Sequence, residues 1–400
     1  MSTSGALELA DIFRLHGAEF RRQNLSRLSG SQLRVLSAIE KCRTAALGGH
    51  LWQCDECGTQ KISYNSCRNR HCPKCQSLAK ERWLEERRSE LLPVPYFHIV
   101  FTLPHELNAF AQAHPQWLYD LLFRCASETL LEIAADAKHL GAKIGILAVL
   151  HTWSQKLTRH PHLHCIVPGG GLSVDGRWVW SRKRFFLPVR VLARLFRGKV
   201  LAALKEAHQA GELDLQGPLA SYQDKGTFAD LLSALYAKPW VVYSKPPFGG
   251  PEQVLAYLAR YTHRVAITNQ RLVRLEGDHV VFTWKDYAQG GAQREMSLPA
   301  GEFIRRFLLH VLPHRFVRIR YYGLLANRRR QENLALCRQL LEHRPAPKAL
   351  LAAAPSWQEL LQKITGIDPT LCPACGQGRL HLVQAVPPSR DHQHPARPPP

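Results

Sequence analysis

The sequence predicts an α+β protein, in which a small helical, cysteine-bearing domain is followed by a larger domain of strands and helices. Two observations predict it. Runs of β-branched, aromatic and other apolar residues at 96–102, 144–153 and 162–172 have strand length, and helical stretches separate the first two. Ahead of them, five cysteines fall within the 22 residues from Cys54 to Cys75, a density that matches a structural metal module. The chain accordingly divides into 1–90 (helical and zinc-binding, suited to DNA), 91–345 (the larger domain) and 346–400. The last part is a linker rich in Ala and Pro, then a small Cys-x-x-Cys tail and a Pro-rich end that composition reads as unstructured.

Charge narrows the partners. The 400 residues carry 53 Lys and Arg against 32 Asp and Glu, a formal charge of +21. A balance of that size favours a polyanion, and nucleic acid leads. The basic residues are spread along the chain rather than gathered in one amphipathic helix, which argues against a membrane surface. No apolar run approaches the roughly 18 residues of a membrane span, and the N-terminus has neither a basic nor an apolar signal region. A cytosolic chain is expected, and there clustered cysteines read as metal ligands rather than disulfides.

Taken in order, 5–47 reads as helical, with Leu7, Ile12, Phe13, Leu33, Val35, Leu36 and Ile39 at mixed three and four spacing. Next come Cys54-x-x-Cys57-Gly58, Cys67, His71 and Cys72-x-x-Cys75. Two such knuckles at this spacing predict one zinc ion held by Cys54, Cys57, Cys72 and Cys75, with Cys67, His71 or His50 as possible replacements. Arg68, Arg70, Lys74 and Lys80 make the module basic and suited to gripping DNA. A charged helix over 81–92 ends at Pro93 and Pro95. The strand at 96–102 precedes helices over 105–140 and the strands at 144–153 and 162–172; 177–180 pairs back as a hairpin.

Gly169-Gly170-Gly171 reads as a bend, because no Lys-Ser/Thr follows and no phosphate-loop motif exists anywhere in the chain. No nucleotide cofactor is expected. Further on stand a helix over 189–210, a strand at 240–243, a helix over 252–263 opened by Pro251, and a hairpin over 271–284. A helix over 302–312, a strand at 316–322 and a basic helix over 324–344 follow. Arg318, Arg320 and Arg328 on the last two are candidate DNA contacts. Near the end, Cys372-x-x-Cys375 is half of a zinc site, with His381, His392 or His394 as possible partners.

Chemistry concentrates in two places. In a strand, side chains alternate, so His162 and His164 share one face and can share a divalent ion. On the 252–263 helix, Tyr257 and Tyr261 are four residues apart and so lie on one face, with Arg260 and Arg264 forming a second such pair beside them. A phenol attacks poorly at neutral pH. It becomes a useful nucleophile toward a phosphodiester when a cation polarises the phosphate and arginines neutralise the developing charge.

These residues resemble a known family. His162-Leu163-His164 looks like the HUH motif, two histidines around an apolar residue, and Tyr257-x-x-x-Tyr261 looks like the paired nucleophiles of HUH single-strand endonucleases. The strings His151-Thr152-Trp153-Ser154-Gln155, Pro168-Gly169-Gly170-Gly171, YLARYTHRVA from Tyr257 and VRIRYY from Val317 sharpen the likeness. Behind an N-terminal cysteine module they are similar to rolling-circle insertion-sequence transposases of the ninety-one type, which include the common-region elements. The resemblance covers roughly 20–345.

It implies an HUH endonuclease-like central antiparallel sheet with the histidine strand in the middle and the tyrosine helix alongside. It implies a 5′-phosphotyrosine intermediate on single-stranded DNA, Mg²⁺ or Mn²⁺ at His162 and His164, structural Zn²⁺, and a cytoplasmic protein at the bacterial nucleoid. Gln155 is the third ligand by likeness to related enzymes, with His151 and His160 as alternatives. Common-region relatives typically keep one tyrosine, whereas both stand here. Two competing readings are a plasmid or phage replication initiator or relaxase with the same site, and a zinc DNA-binding protein without catalysis.

Overall fold

The structure is a computed structural model that describes residues 6–88, 90–182, 186–245, 253–254, 265–341 and 356–389. The N-terminal region starts with two helices, α1 (Leu9–Asn24) and α2 (Gly30–Glu40). Ser29 opens α2 with a capping box: its Oγ accepts from the Gln32 N–H, and the Gln32 side chain accepts from the Ser29 N–H. Strands β1 (Gly49–Cys54) and β2 (Gln60–Tyr64) form a hairpin whose turn carries the first knuckle. Helix α3 (Pro73–Arg88) begins inside the second knuckle, earlier than the expected 81, because Pro73 suits a first helical position.

The larger region is built from β3 (Tyr96–Thr102), α4 (Asn108–Ala113), α5 (Pro115–Ala135), β4 (Gly145–Trp153) and β5 (Arg159–Pro168). The short hairpin β6 (Gly170–Leu172) and β7 (Trp178–Trp180) follows, then α6 (Val189–Gln209), α7 (Lys225–Ala237) and β8 (Val242–Lys245). Next stand β9 (Leu272–Glu276), β10 (His279–Asp286), β11 (Ala292–Pro299), α8 (Ala300–Leu308), β12 (Ile319–Gly323) and α9 (Arg330–Leu341). Helix α10 (Trp357–Thr365) and strand β13 (Leu380–Val386) complete the described chain. No helix among the described residues is long and apolar enough to cross a membrane.

The central sheet is antiparallel, in the order β12-β4-β5-β3-β8, so the two-histidine strand is its middle member. Period-two alternation gives the sheet two faces. Phe97, Ile99, Phe101, Ile146, Ala148, Leu150, Leu163, Cys165 and Val167 point one way, into a core with Phe123 of α5, Phe196 of α6 and Leu235 of α7. The opposite face carries Tyr96, Leu147 and Ile166, buried with Leu92, Val254, Leu324 and Leu334. Both expectations, an α+β fold and a central antiparallel sheet flanked by helices, hold.

Other expectations change. The strand read over 162–172 breaks at Gly169, whose N–H donates to the Pro95 carbonyl and whose carbonyl accepts from Ser181 N–H. A Cβ there would stand 2.8 Å from the Pro95 oxygen, so the bend requires glycine. The N-terminal helices share a core with the second sheet, β11-β10-β9, and α8: Ile12, Phe13, Leu36 and Ile39 are buried with Phe282, Phe303 and Phe307. Residue 90 is therefore not the edge of a separate core. The tail returns to the N-terminal hairpin, where β13 pairs antiparallel with β1 from Gly49↔Val386 to Cys54↔Leu380. Lys363 of α10 reaches Glu85 of α3 at 2.7 Å. The Pro-rich end, 390–400, with His392 and His394, lies outside the described residues.

Candidate metal centres and nucleic-acid interface

The register of β4 on β5 places His151 opposite His162 and Val149 opposite His164. Cross-strand partners and their i+2 neighbours share a face, so three imidazoles converge. Their ring centroids are 4.5 Å (His151–His164), 4.9 Å (His162–His164) and 5.5 Å (His151–His162) apart. One ligand nitrogen from each lies within 4.8 Å of the others. His151, one of the two alternatives to Gln155 with His160, is the side chain that the fold brings to the pair. Gln155 sits in the turn between β4 and β5, and its backbone carbonyl accepts from Arg271 Nη2.

Two further contacts orient the imidazoles. His162 Nδ1 donates to the His160 carbonyl oxygen at 2.7 Å, which leaves Nε2 with its lone pair. His164 Nδ1 is 2.8 Å from Nε2 of His98, a buried residue of β3 on the same face. For His164 to present Nε2, its Nδ1 must carry the proton and donate to His98. Burial pushes the His98 pKa down to about 3, so His98 stays neutral and able to accept. His98 is a functional candidate that the sequence reading missed. Its signal was present, since it stands in a strand read as buried.

The donor set fits a divalent ion that tolerates imidazole. Among the described residues the cluster holds no carboxylate, so of the two ions expected here Mn²⁺ suits it better than Mg²⁺. The turn between the two ligand strands is rigidly made. Ser154 Oγ and Thr158 Oγ1 are 2.7 Å apart, and Leu157 is fully buried at φ 60°, a left-handed conformation that costs a non-glycine residue energy. The Leu157 carbonyl accepts from Nε2 of buried His310 at 3.1 Å.

Tyr257, Tyr261, Arg260 and Arg264 lie outside the described residues. The chain just before them is helical at Gln253 and Val254. Val254 is fully buried, in the cluster with Tyr96, Leu147 and Ile166 on the histidine-bearing face of the sheet.

The other candidate arginines part company. Arg328 is exposed in the turn before α9. Arg320 is engaged: it pairs with Asp120, donates through Nε to the Val317 carbonyl, and stacks at 4.2 Å over the Phe123 ring. Arg318 is half-buried and donates to Gln76 Oε1 at 3.0 Å. Burial and the neighbouring Arg70 charge bring its pKa down to about 10.

The cysteines fall into two clusters, not the single set read from spacing. Cys72 and Cys75 gather with Cys42 and Cys67, while Cys54 and Cys57 gather with Cys372 and Cys375. The hairpin β1–β2 turns the first knuckle toward β13, and α2 and α3 bring Cys42 to the second. His71 is buried and His50 lies on β1, and neither joins a cluster. Sequence reasoning missed Cys42. Counting alone would not have found it, because Cys42, Cys125, Cys165 and Cys337 all stand outside any Cys-x-x-Cys knuckle and all four are buried. In the first cluster Sγ–Sγ separations are 3.7 Å (Cys42–Cys75), 3.6 Å (Cys67–Cys75) and 3.8 Å (Cys42–Cys72). Four thiolates about 2.3 Å from one zinc stand about 3.8 Å apart in a tetrahedron, so this cluster fits structural zinc.

Comparison with known proteins bears on both regions. Residues 12–103 match the family described as "Transposase zinc-binding domain", and residues 145–333 match the family described as "Putative transposase". The chain is 53% identical over 386 residues to "Putative transposase y4qJ" of Sinorhizobium fredii, covering 96% of each chain. It is 29% identical over 349 residues to the "Transposase for insertion sequence element IS801" of Pseudomonas savastanoi pv. phaseolicola, covering 86% of this chain and 82% of the relative. No solved structure matches it.

Proposed function

Because the chain belongs to the insertion-sequence transposases of the ninety-one type, we propose that it mobilises an element by nicking and rejoining single-stranded DNA through a phosphotyrosine. The observation that carries this reading is the convergence of His151, His162 and His164 on the middle of the central sheet, with two of them oriented from behind by His160 and His98. Such an arrangement is more than packing requires. Val254, three residues before Tyr257 in the sequence, is buried with Tyr96, Leu147 and Ile166 of the same face, which is consistent with this reading.

In this reading His151, His162 and His164 would hold a divalent ion, Mn²⁺ by preference, which would supply Lewis-acid polarisation of the scissile phosphate. Tyr257 or Tyr261 attacks the phosphorus through its phenolic oxygen. The bond from phosphorus to the 3′ oxygen breaks, and the 3′-hydroxyl leaves with the proton that the phenol gave up. A 5′-phosphotyrosine remains. A 3′-hydroxyl of the joined strand then attacks that ester, the new phosphodiester forms and the tyrosine is released. One phosphoester is exchanged for another at each step, so no nucleotide cofactor is required. Arg260 and Arg264 lie close enough in sequence to neutralise the charge that develops. DNA is held by the basic surface, to which exposed Arg328 contributes.

The test is covalent capture. The protein is incubated with single-stranded DNA carrying element ends, with Mn²⁺ or with chelator, and run on a denaturing gel. A metal-dependent, protease-sensitive adduct is expected that survives Tyr257→Phe or Tyr261→Phe alone but not the two together. DNA binding without any adduct over a broad pool of ends would reduce the chain to a zinc DNA-binding protein.

A further inference from the structure

The matched zinc-binding region ends at residue 103, yet the second cysteine cluster takes half its members from the far end of the chain. We infer that Cys54, Cys57, Cys372 and Cys375 form a second, separate zinc site, a ribbon that the two ends of the chain build together, and that its Zn²⁺ fastens the tail to the N-terminal module. The inference stands apart from the tyrosine chemistry and does not rest on it.

Distances come first. Cys54 Sγ lies 3.7 Å from Cys375 Sγ, and Cys57 Sγ lies 3.8 Å from Cys372 Sγ. These are the edges of a zinc-thiolate tetrahedron, about 3.8 Å, and far from the roughly 2.05 Å of a disulfide. Both cross-links span the chain, with a sequence separation of 315 residues between Cys57 and Cys372.

The second argument is that the two knuckles are built alike. Gly58 follows Cys57 at φ +69°, and Gly376 follows Cys375 at φ +70°. Each donates its N–H to the carbonyl of the first cysteine of its knuckle, Gly58 to Cys54 at 3.2 Å and Gly376 to Cys372 at 2.9 Å. Such paired turns aim both sulfurs of each half at one point between them.

Third, the halves are locked in register. Asp55 N–H donates to the Arg379 carbonyl at 3.1 Å, and Arg379 N–H returns to Asp55 Oδ1 at 2.7 Å. Gly378 N–H points at Cys375 Sγ at 3.3 Å, and a side chain at 378 would run into Cys54 Sγ. Beyond the knuckles β13 continues along β1 as a third strand of that sheet. Four thiolates with no open position make a closed structural site, with no place for substrate.

Zinc content and thiol mapping of the full chain test this. Wild type is expected to carry two zinc ions, one per cluster. Cys372→Ser with Cys375→Ser should carry one, and iodoacetamide should then label Cys54 and Cys57 while Cys42, Cys67, Cys72 and Cys75 stay protected. Cys54→Ser with Cys57→Ser should likewise expose Cys372 and Cys375. Because a cysteine variant can misfold and label throughout, wild type is also titrated with a graded chelator. Cys54, Cys57, Cys372 and Cys375 should become reactive as one set, separate from the other four. A single zinc in wild type, two zinc ions retained in the tail variant, or Cys372 and Cys375 reacting while Cys54 and Cys57 stay protected would overturn the assignment.

Discussion

His98 shows how much one buried side chain can set. Its Nε2 lies 2.8 Å from His164 Nδ1, and by accepting a hydrogen bond there it would decide which nitrogen His164 offers to a metal. His98→Ala should leave the fold standing and weaken the metal site. We expect the Mn²⁺ concentration for half-maximal adduct formation to rise about 10- to 100-fold, with much of the yield recovered at saturating Mn²⁺. A loss that saturating Mn²⁺ does not repair would mean that His98 serves packing instead. The arginines are separable by the same logic. Arg320 is tied to Asp120 and to the Phe123 and Phe316 rings, so Arg320→Ala should lower stability by about 1–2 kcal/mol. It should leave the salt dependence of DNA binding unchanged. Exposed Arg328 should do the reverse, its replacement by Ala costing little stability and reducing the log–log salt slope by about 0.7 for a single strand. Equal salt slopes for the two variants would remove Arg328 from the interface.

At the scale of elements, glycine turns decide how strands meet. Gly323 ends β12 at φ +60°, and an added Cβ would collide with the Ile144 carbonyl oxygen. Gly323→Ala should therefore cost about 3 kcal/mol or more, seen as a large drop in melting temperature or in soluble yield. A near-neutral Ala there would show that the β12–β4 edge can shift without cost. The strands most legible in the sequence were those buried on both faces. β3 and β4 are continuous apolar, β-branched and aromatic runs, and few alternatives suit Tyr96–Thr102. β11 was illegible because Ala-Gln-Arg-Glu-Met-Ser-Leu-Pro is mostly exposed and alternates only in its second half, where Met296 and Leu298 face the second core. The histidine pair was legible because period two is a local rule. His151 stood only among the alternatives for a third ligand, because it meets the pair through register with another strand, while Gln155, nearer in sequence, falls in the turn. The cysteines repeat the lesson. Each knuckle is a local motif, but which knuckles come together depends on where β1 and β13 meet, 326 to 337 residues apart from Cys54↔Leu380 to Gly49↔Val386.

Across the whole molecule, buried neutral histidines join regions that composition alone would keep apart. His310 follows α8 in the second core and reaches into the turn between the ligand strands. Its Nε2 donates to the Leu157 carbonyl and its Nδ1 lies 3.2 Å from the Thr152 hydroxyl. Burial lowers its pKa to about 4, from the ordinary 6.5. In the unfolded chain His310 takes a proton near its ordinary pKa, while the folded chain resists it until about 4. The stability this group contributes is thus fully present above about pH 6.5 and is lost as pH falls through 6.5 toward 4. One proton gives a slope of at most about 1.4 kcal/mol per pH unit in that window. Acid also protonates the cysteine thiolates and releases zinc, so the telling quantity is the difference between wild type and His310→Gln, which keeps a polar side chain and removes the titration. Urea midpoints should fall more steeply for wild type than for the variant between pH 6.5 and 4.5, and run parallel above pH 7. Parallel curves throughout would mean that His310 takes its proton in the folded chain as readily as in the unfolded one, so that burial does not hold it neutral.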